Sequence, residues 1–433
     1  MQILEAATDR PKHCPGKNHR TQPEDLVIKK IPVEFLEPGM YVHDLNADWI
    51  PHNTLRQRGK IGSQANIEKL ISHGITDVYI DTTKGKDVAD AVTAEEVSRE
   101  MTRRMVDLAE HSKRGPQEQA KLALAEEMQR AQRIHEEAKG LVDHVLCDIK
   151  QGKPLQVEQV DQLAEELVDS VFRNHDALAC LGRIRDKDSY LLEHSVNLAV
   201  LMSIFAKSLS FKKQFMHDCV VGAMLHDIGK ILIPDAILNK PGRLTAKEFD
   251  AIRKHAEHSR QILRETPGVS ALAITIAGQH HERLDGSGYP DGLQGDQISR
   301  PGRMVAITDV YDALTADRCY KSAIPPTIAM KKLLEWSDDH LDRNLVHRFI
   351  KCMGVYPVGS LVYLSDDTLA VVTEQSDSNS LEPVVKVIYH ATDRKFLTTT
   401  TLDLARPGNQ ITVCRAEDPR DYKINLRPFL ESR

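Results

Sequence analysis

From residue 190 to residue 320 the chain repeatedly sets histidines and aspartates beside apolar helical runs, and that pairing limits the folds open to it. EHSVN places His194 on a helix whose Val196, Leu198, Ala199, Met202 and Phe205 supply buried positions. LHDIGK puts His226 and Asp227 where an apolar helix ending at Leu225 meets Gly229. RKHAEHS carries His255 and His258, and QHHER carries the adjacent His280 and His281. AITDVYDALTADRCYK carries Asp309 and Asp312, one turn apart and so on one helix face. Each cluster alone has a plain explanation, since a lone helical histidine is usually capped or solvated and a His-Asp pair at a helix end is often a salt bridge. What points to chemistry is the ensemble within one helical segment.

Imidazoles mixed with carboxylates suit iron, manganese or zinc rather than calcium, which prefers oxygen alone. One aspartate can bridge two cations, and two metals about 3.5–4 Å apart suit phosphoester hydrolysis, because they lower the pKa of a shared water and clamp phosphate oxygens. The stretch HHERLDGSGYPDG, from His280 to Gly292, fits the same picture. Its plain reading is a polar turn between two helices. Its sharper reading is one wall of a metal site, with a glycine-rich loop shaping the pocket above it.

With 433 residues the chain is too long for one ordinary core, and 41% hydrophobic content can fill two to four. The expected organisation is a disordered, polar N-terminus over 1–25, a small α/β module over 26–86 and a helical connector over 87–175. A helical catalytic domain follows over 176–355, and a β-rich extension closes the chain over 356–433. In the connector Met128, Ala131, Ile134, Ala138, Leu141, Val145 and Ile149 recur at steps of three and four, marking one apolar face that suits a connector, a dimerising coil or both. In the tail PVGSLVYL, LAVVTEQ and VVKVIYH alternate like strands. The fold class expected is therefore mainly α.

A net charge of −6 argues against nucleic-acid polymers and anionic membranes as partners, while leaving room for a small anionic substrate held by local cations. The seven cysteines are scattered and contain no CxxC, which gives neither a disulfide framework nor a zinc ribbon. His13, Cys14 and His19 lack a fourth ligand for a zinc site. No stretch approaches the roughly 20 apolar residues of a membrane span. The expected location is the cytoplasm.

Taken in order, several blocks resemble the HD-GYP subfamily of HD-domain phosphohydrolases. They are DxYxxxHS (Asp188, Tyr190, His194, Ser195), LHDIGK, IPDAILNKPGRLT, His255, HHERxDGxGYP and DVYDALTxDRxY, spanning Asp188 to Asp342. The N-terminal α/β module is similar to one that often precedes such domains. The resemblance implies an all-α HD-type catalytic domain that hydrolyses cyclic di-GMP in bacterial signalling. It implies as metal ligands His194, His226, Asp227, His255, His280, His281 and Asp309, with Asp227 bridging. Asp227 and Lys230 would then be catalytic, with Lys230 facing the scissile phosphate. Arg318 and Lys321 would grip the dinucleotide phosphates, and Gly288, Tyr289 and Pro290 would form the loop beside the substrate. Arg318 lies nine residues past Asp309, so a turn near Asp317 is required.

Some members carry a third-metal glutamate where this chain has Tyr190, so two divalent metals are expected, with iron or manganese the implied identity. Ala256 and Ser259 stand where the family usually has proline and glycine, so Ser259 is expected to crowd a helix contact and His258 to lie at the surface. A GGDEF-domain cyclase and a homodimer are the protein partners suggested. Other readings stay open: a phosphodiesterase for 3′,3′-cyclic GMP-AMP, and a non-catalytic cyclic-dinucleotide receptor or scaffold. A nucleotidase for mononucleotides is disfavoured by the complete GYP loop.

Overall fold

Short, alternating strands begin the architecture in the computed structural model, which describes residues 27–50, 57–110, 122–184, 190–240, 242–317, 322–376 and 379–431. The expected disordered N-terminus, 1–25, and the two cations Arg318 and Lys321 lie outside the described residues. Strands β1 (Ile28–Pro32), β2 (Tyr41–Asp44), β3 (Gly59–Lys60), β4 (Asp77–Asp81) and β5 (Val92–Thr93) form an antiparallel sheet in the order β3-β2-β4-β1-β5. Helix α1 (Gln64–Ile71) lays Ile67 and Leu70 on Val42, Val78 and Ile80 of that sheet. The chain then leaves the helix through Gly74, whose φ of 76° most side chains would resist.

The rest is dominated by helices: α2 (Ala94–Glu110), α3 (Leu124–Lys150), α4 (Val157–Leu181), α5 (Tyr190–Ser208), α6 (Lys213–Met224), α7 (Asp235–Leu238), α8 (Ala246–Glu265), α9 (Ala271–Gln279), α10 (Arg300–Thr315), α11 (Pro326–Trp336) and α12 (Arg343–Met353). Several starts are written locally. Thr245 and Glu248 make a reciprocal capping box on α8, and Ser270 and Ser299 cap α9 and α10 with their hydroxyls. Helix α5 is central, with Val196, Leu198, Ala199, Met202 and Phe205 all buried.

The helices expected as a connector are not a separate rod. Met128, Ala131, Ile134, Ala138 and Val145 of α3 belong to one continuous core with α4, α5 and α6, so the apolar stripe is covered within the chain. Buried Glu127 of α3 adds an ion pair to Arg173 of α4 at 2.7 Å and accepts from the Ser170 hydroxyl at 2.8 Å. Helix α4 runs through the boundary expected at 175 and kinks at Asn174. There the Asn174 amide donates to the Leu122 carbonyl at 2.8 Å, while its oxygen accepts from the Asp176 N–H.

Strands β6 (Leu361–Leu364), β7 (Thr368–Glu374), β8 (Val384–His390), β9 (Lys395–Asp403) and β10 (Val413–Glu417) form a second antiparallel sheet, ordered β10-β6-β7-β8-β9. Period-two alternation explains its burial on both sides. Leu361, Tyr363, Leu369 and Val371 face the helical core, while Val362, Leu364, Ala370 and Val372 fill a second small one. Short helices α13 (Pro419–Tyr422) and α14 (Arg427–Glu431) end the fold. Cys147, Cys180, Cys219 and Cys352 are free, but Cys414 is disulfide-bonded, where the cysteine spacing gave no disulfide framework. Among the described residues no helix is long and apolar enough to cross a membrane.

The N-terminal module docks on α11 and on the loop after α9. The Trp336 indole donates to the Asn46 carbonyl at 3.1 Å. Glu335 receives the Asn46 amide at 2.9 Å, the Tyr79 hydroxyl at 2.9 Å and the Lys30 ammonium at 2.7 Å. Trp49 lies on the His340 ring, with centroids 4.0 Å apart, and its carbonyl accepts from buried Arg283 at 3.1 Å.

Candidate active site

Three helices and two helix ends bring the suspected residues to one place. Helix α5 presents His194, the chain just beyond α6 presents His226 and Asp227, and α8 presents His255. His280 and His281 follow α9 directly, and α10 presents Asp309 and Asp312. All are buried, the most exposed being 6% accessible. Burial of so many ionisable groups is costly unless each finds a partner.

The imidazoles are held by a repeated device. Nδ1 of His226, His255 and His280 donates to the carbonyl three residues earlier, of Ala223, Ile252 and Ala277, at 2.6, 2.6 and 2.8 Å. His194 Nδ1 is instead 2.7 Å from Asp312 Oδ2. With the proton on Nδ1, the Nε2 lone pair is left to face inward. His194 and His226 meet there with Nε2 atoms 3.2 Å apart, and so do His255 and His280.

Two donor groups result: His194, His226 and Asp227, and His255, His280 and His281, the donor atoms of each lying within 4.8 Å of one another. Asp227 stands between them. Its Oδ2 is 3.1 Å from His226 Nε2 and accepts from Lys230, while its Oδ1 is 3.2 Å from His255 Nε2. Asp309 also reaches both groups, with Oδ1 3.2 Å from His194 Nε2 and Oδ2 3.5 Å from His281 Nδ1.

Electrostatics suit a cation. Burial holds the His255 pKa at about 4, and it pushes His280 and His281 well below the usual imidazole range, so all three are neutral donors near pH 7. Burial would raise Asp227, but His226 and Lys230 outweigh it and hold that carboxyl well below its ordinary value. Burial also opposes charge on His194, yet Asp309 and Asp312 outweigh it and raise its pKa; a cation would take the place of that proton. Asp227 Oδ1 and His281 Nδ1 are buried without a hydrogen-bond partner. A divalent ion would satisfy both, so the residues present fit such a group.

The HD domain family matches residues 181–345, and a domain of unknown function, DUF3391, matches residues 28–160. A cyclic di-GMP phosphodiesterase of Pseudomonas aeruginosa is 36% identical over 385 residues, covering 88% of this chain and 90% of that protein. The chain belongs to the HD-GYP family. The HD-GYP portion is also similar to a 3′3′-cGAMP-specific phosphodiesterase of Vibrio cholerae, at 36% over 181 residues, or 42% of this chain and 39% of that protein. A cyclic di-GMP phosphodiesterase of Thermotoga maritima is 33% identical over 207 residues, 48% of this chain and 56% of that one.

The HD-GYP loop folds back onto the second group. Tyr289 is buried with its ring centroid 4.6 Å from that of His281. A Cβ on Gly288 would lie 2.4 Å from the Arg283 nitrogen and 2.6 Å from the His281 carbonyl oxygen, so no larger residue fits at that approach. Pro290 follows, half-buried. Glu282 fastens the turn by accepting from the N–H groups of Asp291 and Leu293 at 2.8 and 2.9 Å. The turn required near Asp317 is present, since α10 ends at Thr315 and Ala316 is extended.

Two expectations change. Ser259 does not crowd its contact: its hydroxyl accepts the Gly229 N–H at 2.8 Å, and the close approach is provided by Gly229. His258 is half-buried rather than fully at the surface, and it belongs to neither donor group.

Sequence reasoning missed the orienting role of Asp312 and the buried struts Glu282 and Arg283. Asp312 was visible one turn after Asp309, but only the His194 ring gives it a task. Asp312→Asn should therefore reduce metal affinity or turnover by about 10–100-fold, the usual cost of losing a carboxylate behind a histidine ligand. Metal titration and steady-state rates check this; wild-type values in both would remove Asp312 from that role.

Proposed function

We propose that this HD-GYP protein is a metal-dependent phosphodiesterase that opens cyclic di-GMP to linear pGpG, with a further cut to GMP open to the same site. The observation that carries the reading is the split of Asp227 between two donor groups, one oxygen to each. That is the arrangement a two-cation phosphodiester site requires. His194, His226, Asp227 and Asp309 would hold one divalent cation, and His255, His280 and His281 the other with the second oxygens of both aspartates. The mixture of imidazole and carboxylate suits iron or manganese. When bound, such ions supply Lewis-acid stabilisation of phosphate oxygens and a water activated near neutral pH.

The chain's own groups do the remaining work. Lys230, already on Asp227, adds positive charge where the phosphate gains negative charge. Arg318 and Lys321 are proposed to hold phosphate oxygens after the turn at Ala316. The ribose 3′ oxygen leaves opposite the attacking oxygen and takes its proton from water. The Vibrio cholerae relative's specificity makes 3′,3′-cyclic GMP-AMP the second substrate to test.

The test is one anaerobic assay. Protein of known metal content is incubated with each cyclic dinucleotide and Fe(II) or Mn(II), and the products are separated by chromatography. Linear product supports the reading and ranks the substrates. No product from protein shown to hold two metals would replace it with that of a receptor.

A further inference from the structure

A cleft of about 240 Å³ opens beside His281 and is built by both the N-terminal module and the catalytic helices. It is lined by His281 and Tyr289, by Phe249 and Arg253 of α8, and by a wall of Trp49 and Lys69 from the module. This wall is fixed. The module rests on the GYP loop so closely that a Cβ on Gly74 would lie 2.7 Å from Ser287 Cβ. Arg283 reaches across to the Trp49 carbonyl at 3.1 Å.

Three features separate this cleft from a gap in packing. Tyr289 lines the cleft at 5% exposure, and its hydroxyl is buried without a hydrogen-bond partner. A buried hydroxyl in that state calls for an acceptor. The charge is lopsided, since Lys69, Arg253 and Arg283 face a single carboxylate, Asp250. Neither Lys69 nor Arg253 forms an ion pair among the described residues, and the Arg253 guanidinium sits 4.9 Å over the Tyr289 ring. Finally, Phe249 and Tyr289 offer aromatic surface for a base, while the cations suit phosphate.

The cleft is smaller than the roughly 300–1,000 Å³ of pockets that enclose a whole drug-sized ligand, so it has room for part of a larger molecule. We propose that the N-terminal module is one wall of the substrate site, and that Lys69 of the module, with Arg253, holds the half of the cyclic dinucleotide that is not being cut. This rests on the cyclic-dinucleotide reading above. It makes the module a determinant of substrate preference rather than an appendage.

The test uses the full chain loaded with Mn(II) and two substrates: cyclic di-GMP, and bis(p-nitrophenyl) phosphate, a diester with no second nucleotide. Lys69→Glu is expected to raise KM for cyclic di-GMP about tenfold or more with a smaller change in kcat, the pattern of lost binding. The ratio of kcat/KM values, cyclic di-GMP over the small diester, falls accordingly. Lys69→Arg keeps most of that ratio. Lys60→Glu, a charge reversal on the same module away from the cleft, leaves it unchanged. An unaltered ratio in Lys69→Glu, or equal losses on both substrates, overturns the inference while the phosphodiesterase reading stands. Wild-type protein that cuts the small diester but neither binds nor cuts a cyclic dinucleotide overturns that reading and this inference with it.

Discussion

Asp227→Ala is expected to reduce turnover of cyclic di-GMP by at least about 10³-fold, equivalent to several kcal/mol of lost transition-state stabilisation. The carboxylate faces both donor sets through separate oxygens at 3.1 Å and 3.2 Å, more closely than Asp309, whose second oxygen stands 3.5 Å from His281. Its removal therefore damages both proposed cation sites, whereas loss of any one histidine damages a single site. The fold should survive, because the helical core around α5 does not depend on this side chain. Lys230, left without its partner, retains 12% exposure and can turn toward water. Three measurements separate the possibilities: metal content, turnover, and thermal stability with and without Mn(II). Metal that binds only the folded protein stabilises it by about 2.7 kcal/mol at a hundredfold excess over Kd. That increment should shrink in the variant, while the metal-free Tm stays near wild type. Retained turnover, or two equivalents of metal still bound, would remove Asp227 from the centre of the site.

Several of the ligand-type residues were legible because they sit within or beside an apolar run whose helical period is plain. A histidine or aspartate among buried neighbours, as at His194 or Asp309, can only point into the protein. What the sequence could not display is pairing between helices. That Asp309 reaches His281 as well as His194 depends on how α9 and α10 pack. The bond from Arg283 to Trp49 joins residues 234 apart, and no local pattern announces it. The α3 stripe was equally visible, but periodicity says only that a face is apolar, and here that face meets α4 and α5. Strand β9 was harder to read, because its run of threonines is largely exposed and shows no apolar alternation. Ser259 illustrates a subtler limit. Judged against glycine it looked too large, yet its hydroxyl takes the one N–H that Gly229 would otherwise leave buried and unpaired.

Gly229 is where that packing becomes measurable. A Cβ there would lie 2.2 Å from the His255 carbonyl oxygen and 2.4 Å from the Ser259 nitrogen. Both are backbone atoms of α8, so no side-chain rotation can relieve the clash and the helix itself must move. Gly229→Ala should therefore cost about 1–3 kcal/mol from overpacking, with about 1 kcal/mol more if the Gly229–Ser259 hydrogen bond is lost. Because α8 carries His255, the same shift opens the second donor group. A displacement near 1 Å at a reacting centre is enough to reduce turnover by about 10²-fold. Gly140→Ala is the matched control. Gly140 lies inside α3 with nothing within 4 Å of its added Cβ, so the substitution should stabilise the protein by about 0.5–1 kcal/mol and leave catalysis alone. Thermal unfolding and steady-state rates of the two variants check both expectations. A Gly229→Ala protein with wild-type Tm and turnover would mean that α8 is free to shift without disturbing His255, and that the close contact between α8 and the turn after Asp227 does not set the geometry of the site.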